Sequence, residues 1–194
     1  MVKLLAEKHG MICCRENYHD ELMEGVVTPQ YQPNLCYFQP MRDWQEFVSR
    51  EPEEYERWIM GSSKEAGELE LALLLMLSAS GKKIIVDTNI PLDILREISD
   101  YRRVAVMVCP QSLSVERFFE RDDPEKRFLL EQINACPDPH ATLARFKAGL
   151  ARINSLERYQ EYVNSGFFVL ERKDCETDTR AQTLAALEAH FGLA

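Results

Sequence analysis

The chain has 194 residues, 45% of them hydrophobic, which suits one domain with a substantial core. Its 23 basic and 32 acidic residues leave a formal net charge of −9, excluding a broad electrostatic footprint for nucleic acid while leaving room for a local anion site. The longest apolar run, Leu69 to Leu77, is too short to span a bilayer, carries Glu70 and reads as a buried helix turn.

Met1 to Gly10 reads as a short helix closed by Gly10, and Met11-Ile12-Cys13-Cys14 as a buried strand. Arg15 to Glu24 is polar and predicts a short helix; Pro29, Pro33 and Pro40 make Thr28 to Pro40 a loop. Asp43 is a candidate N-cap for a helix starting at Trp44, with Glu46 completing a capping-box pattern. Pro52 suits the first turn of a second helix running through Trp58 towards Leu77, with Gly61 or Gly67 as candidate kinks. Gly81 ends that helix, and Ile84-Ile85-Val86 is a continuous apolar run of the kind covered on both faces in parallel sheets.

A helix over Leu92 to Ile98 and a second buried strand, Val104 to Val108, follow. Ser112 or Ser114 caps a helix through Phe118 and Phe119, and Pro124 restarts it towards Ile133. Leu143, Phe146, Leu150, Ile153 and Leu156 have helical spacing and predict one helix from Pro139 to about Tyr162. Phe167 to Leu170 is the last strand and Gln182 to His190 the closing helix. Alternating strands and helices predict an α/β domain, a parallel sheet with helices on both faces.

The six cysteines form no C-x-x-C pair, which points to free thiols in a reducing cytoplasm rather than to zinc or a disulfide framework. No secretory signal pattern opens the chain.

Val2-Lys3-Leu4-Leu5-Ala6-Glu7-Lys8-His9-Gly10 resembles the helix that follows the phosphate-binding loop of P-loop small-molecule kinases, the adenylate-, nucleoside- and shikimate-kinase-like branch. In those proteins a strand and the loop G-x-x-x-x-G-K-[ST] precede that helix. The loop occurs nowhere in this chain. Gly81-Lys82-Lys83 lies before a strand, and Gly61-Ser62-Ser63-Lys64 sits inside a helical stretch, so neither replaces it.

The resemblance implies a three-layer α/β/α domain over residues 1–194, lacking its first, mid-sheet strand, with a helical substrate-side insert at about 41–80 and a lid-like segment at about 112–135. It implies ATP and Mg²⁺ as cofactors and a small hydroxyl or phosphate acceptor. Asp87, at the carboxyl end of a strand, would serve Mg²⁺ or substrate with Asn89 assisting, or else cap the next helix. Glu16 or Asp20 would serve the acceptor, as a base or by binding, or form a solvated acidic turn; His19 reads as a surface residue.

Arg117 and Arg121, four apart on one predicted helical face, would stabilise the transferring phosphate, with Arg127 beside them; the plain alternative is surface ion pairs. Phe118 and Phe119 read as core. Without the loop's amides, lysine and hydroxyl, these residues alone are expected to turn over ATP poorly.

Three alternatives follow. The start is misassigned, and roughly fifteen to twenty residues, a strand plus its loop, precede Met1. The chain is a non-catalytic relative that binds a nucleotide, metabolite or protein, with the gap in the sheet inviting a homodimer. It is an interaction module, which leaves the placement of Asp87, Arg117 and Arg121 without a purpose.

Overall fold

The computed structural model describes residues 1–120, 123–173 and 177–193, with the backbone alone of Met23 and Glu24. Arg121 and Cys175 lie outside the described residues. The chain is α/β, built of helices around two small parallel sheets. Helix α1 (Val2–His9) ends where Gly10 takes the left-handed conformation at φ 63°, and the amide of Met11 bonds back to the carbonyl of Ala6. The turn feeds β1 (Ile12–Cys14). A 3₁₀ turn over Tyr18–Leu22 and α2 (Met23–Val26) follow.

In α3 (Trp44–Val48) the Asp43 carboxylate accepts from the Glu46 amide at 2.9 Å, half of the expected capping box. Glu46 turns instead to Arg42 at 3.0 Å. Helix α4 (Pro52–Ser78) is continuous over 27 residues. Its glycines permit close approach rather than interrupting it. A Cβ on Gly67 would lie 2.8 Å from the Asn89 carbonyl oxygen, and one on Gly61 would strike the Asn34 side chain.

Strand β2 (Ile84–Val86) pairs with β1 in parallel, Ile12 opposite Ile84 and Cys14 opposite Val86. After α5 (Leu92–Ile98) comes β3 (Ala105–Val108), which pairs in parallel with β4 (Phe168–Glu171), Ala105 opposite Phe168. The expected parallel pairing is present, but as two two-stranded sheets; among the described residues no ladder joins them. Between the pairs run α6 (Pro124–Asn134), α7 (Pro139–Ile153) and α8 (Leu156–Val163), and α9 (Arg180–Phe191) closes the fold.

Two expected helices are corrected. The single helix from Pro139 to Tyr162 is two, because the Asn154 side chain bonds back to the Leu150 carbonyl and Ser155 caps a new helix through the Arg158 amide. The helix through Phe118 is instead a π-type turn over Ser112–Glu116 and a 3₁₀ turn over Phe118–Glu120. Neither serine caps it: the Ser114 hydroxyl bonds back to the carbonyls of Pro110 and Gln111.

The main core gathers Phe47, Val48, Tyr55, Ile133, Phe146 and Leu150 where α3, α4, α6 and α7 meet, and Phe118 and Phe119 pack against it as expected. Burying each large side chain contributes about 1.5–3 kcal/mol. Arg50, 5% exposed, lies within this cluster with its guanidinium carbon 3.4 Å from the Tyr37 ring centre and 5.1 Å from that of Trp58. A smaller core of Cys14, Tyr18 and Leu73 fixes α4 against the carboxyl end of β1.

Candidate functional site

In parallel sheets ligands bind beyond the carboxyl ends of the strands, and here the two pairs present different ends. Beyond β1 and β2 lies a closed polar network centred on Glu70 of α4, which is fully buried. Its Oε1 accepts from His19 Nδ1 at 2.8 Å and Asn89 Nδ2 at 2.8 Å. Its Oε2 accepts from the Thr88 hydroxyl at 2.7 Å and the Asn89 amide at 2.6 Å.

A buried carboxylate is costly without partners, and this one has four. Burial pushes its pKa up, but the donors from His19, Asn89 and Thr88 together hold it below its ordinary value, so it is ionised. The Tyr18 hydroxyl donates to the backbone carbonyl of the same residue at 3.1 Å, and burial raises that phenol's pKa to about 12.

This network holds the loops on which sequence placed Asp87, Asn89, Glu16 and Asp20. Asp87 extends the ladder beyond β2, its amide donating to the Cys14 carbonyl at 2.9 Å, and the residue is exposed. It does not cap the next helix, since Pro91 holds that position before Leu92. Partial burial raises the Asp87 pKa, the nearby Met1 ammonium lowers it and Glu70 adds to the rise. Asn89 is turned inward, both its donors committed to Glu70.

Glu16 and Asp20 are exposed on the turn after β1, where Asn17 is left-handed at φ 60°. His19, expected at the surface, is instead 5% exposed, drawn in by Glu70, with Nε2 3.6 Å from the Asp20 carboxylate.

Beyond β3 and β4 lies an open cavity of about 1150 Å³. Met107, Val108 and Leu170 form its apolar wall, and Arg117, Arg172, Lys173 and Arg180 its basic lining. Met1 also lines it. Arg117 pairs with Glu120 at 2.5 Å, and Arg180 with Asp178 at 2.6 Å, an ion pair that takes the Asp178 pKa down to about 2. Residues 112–120 form no α-helix, so Arg117 does not lie on the helical face expected for it, and Arg121 lies outside the described residues. Arg127 is exposed on the first turn of α6 and does not line the cavity.

Among the described residues, no group of three or more His, Cys, Asp or Glu side chains is arranged to hold a metal, and no helix is long and apolar enough to cross a membrane. The five described cysteines are free thiols, Cys14, Cys36 and Cys136 buried.

The structure thus brings Asp87, Asn89 and Asp20 around one network and places Arg117 at the cavity. Sequence reading missed Glu70, His19 and Thr88 as site residues; the signal for Glu70 was a charge inside the longest apolar run. Compared with known proteins, the chain matches no protein family, no curated protein and no solved structure.

Proposed function

We propose that this protein is a kinase-like phosphotransferase of the P-loop type, handling MgATP and a small hydroxyl or phosphate acceptor. The observation that carries the reading is the pairing of two strand-end regions. An open cavity lined by four basic side chains lies beyond β3 and β4, and a pre-arranged acidic and polar edge lies beyond β1 and β2. Cationic side chains suit a polyphosphate. Asp87, an exposed residue, suits a magnesium ion that keeps most of its waters and needs only one or two protein carboxylates. Bound MgATP would supply the transferable phosphoryl group. Arg117, Lys173 and Arg180 would bind and orient it, and the β1–β2 edge would hold the acceptor.

The absence of a phosphate-cradling loop from these 194 residues favours a second reading, in which the same surfaces bind a nucleotide, metabolite or partner without transfer. Calorimetric titration of the chain with MgATP, alongside a turnover assay, tests both. The expected result is binding that Lys173→Ala weakens about tenfold, one lost charge contact, with little turnover. No MgATP binding would overturn the proposal. Robust turnover that collapses in Asp87→Ala would overturn the expectation of weak catalysis and favour the full phosphotransferase.

A further inference from the structure

Glu16 and Asp20 occupy the loop where an acceptor-side base belongs, yet both are exposed, and Glu16 makes no hydrogen bond among the described residues. His19, between them, is built differently. An ionised carboxylate only accepts hydrogen bonds, so the 2.8 Å contact with Glu70 Oε1 requires the hydrogen on His19 Nδ1. The basic lone pair of the neutral ring then sits on Nε2, the nitrogen turned towards exposed Asp20. Glu70 has no slack for another arrangement: the Asn89 amide and the Thr88 hydroxyl hold Oε2, and the Thr88 oxygen itself accepts from the Ile90 amide at 3.1 Å. A carboxylate that fixes the tautomer and heading of a nearly buried imidazole whose other nitrogen lies 3.6 Å from a surface carboxylate is the arrangement of an oriented general base.

We infer that His19 is the proton-accepting residue on the acceptor side of the site, acting through Nε2, and that Glu70 is the positioning residue that holds it in the Nδ1–H form. This rests on the phosphotransferase reading. In the step, the acceptor hydroxyl gives its proton to Nε2 as its oxygen bonds to the terminal phosphorus of the nucleoside triphosphate. The bond from that phosphorus to the bridging oxygen breaks, leaving its electron pair on the nucleoside diphosphate. The imidazolium so formed lies between two carboxylates, Glu70 at 2.8 Å and Asp20 at 3.6 Å, which stabilise it.

Glu70→Gln separates this role from mere filling of space. The Asn89 backbone amide can only donate, so the carbonyl of the new side chain must replace Oε2. Its NH₂ group then faces His19 Nδ1, which has to accept, and the ring hydrogen moves to Nε2. The full chain, wild type and Glu70→Gln, is treated with diethyl pyrocarbonate at mildly alkaline pH, and each histidine is read by peptide mass spectrometry. Exposed His140 serves as the internal standard, and ¹⁵N imidazole spectra report the tautomer.

The expected result is modification of wild-type His19, roughly tenfold slower in Glu70→Gln while His140 is unchanged. An unreactive His19 in the folded wild type, or equal rates in both proteins, overturns the inference. If Glu70→Gln fails to fold, the wild-type spectrum decides alone: hydrogen on Nδ1 supports the inference and hydrogen on Nε2 overturns it. The tautomer contrast without any MgATP binding in calorimetry overturns the phosphotransferase reading and leaves His19 as an oriented base for a different proton transfer.

Discussion

The carboxyl ends of the two strand pairs solve opposite problems. At the β1–β2 end a helix from elsewhere in the chain inserts a carboxylate that satisfies four donors, so the loops after both strands are fixed before any ligand arrives. At the β3–β4 end the strands open onto a large cavity, and Arg117 and Arg180 pair with carboxylates three and two residues away in the chain. The first region stores its order in buried polar contacts, which are strong because water is absent. The second keeps its ion pairs at the surface, where they contribute little to stability. One end is thus a prearranged polar network and the other an open cavity with basic lining.

The largest effect should come from Glu70→Ala, which strands the donors of His19, Thr88 and Asn89 inside the protein. A loss of about 3–5 kcal/mol in urea unfolding is expected, while Lys173→Ala at the cavity should leave the midpoint unchanged. A loss below about 1 kcal/mol for Glu70→Ala would break the comparison. Next comes Gly67→Ala, whose Cβ would meet the Asn89 carbonyl at 2.8 Å. Displacing the Thr88–Ile90 loop should cost about 1–3 kcal/mol, visible as faster amide exchange at Asn89 and not at Val108.

Acid should act on the closed region first. The Glu70 pKa is held below its ordinary 4.5 in the fold. Its contribution is therefore complete above the unfolded value and is lost as pH falls through the lower folded value. Wild-type stability should decline below about pH 4.5 more steeply than that of Glu70→Gln, which has no such proton to take up. Parallel slopes would show that the fold does not lower the Glu70 pKa.

The smallest effect is of opposite sign. The Asp87 pKa is raised, so its ionisation opposes folding as pH rises. Asp87→Asn should gain well under 1 kcal/mol at neutral pH, given an exposed residue with a screened charge, and the gain should vanish under acid where both side chains are neutral. A loss of stability instead would give Asp87 a structural role.

What the sequence determined by itself is local. Gly10 closing α1, Asp43 capping α3, Pro52 opening α4 and the three-residue apolar run of β2 each follow from the conformational limits or hydrogen-bonding reach of residues within a few positions. Parallel pairing was legible from continuous apolar strands alternating with helices, and Phe118 and Phe119 as core from their bulk. Where two local signals competed, as at Asn154-Ser155, the apolar period read straight through a break that side-chain hydrogen bonds made.

The division into two sheets and the identity of the network were decided only by tertiary structure. Glu70 lies 51 residues from His19 and 19 from Asn89. No local pattern encodes that convergence, because the free energy of a buried charge depends on which donors the folded chain brings to it. Asp87 and Asn89 could be found at a strand end; that Asn89 and His19 turn inward was settled by where α4 carries its one fully buried carboxylate.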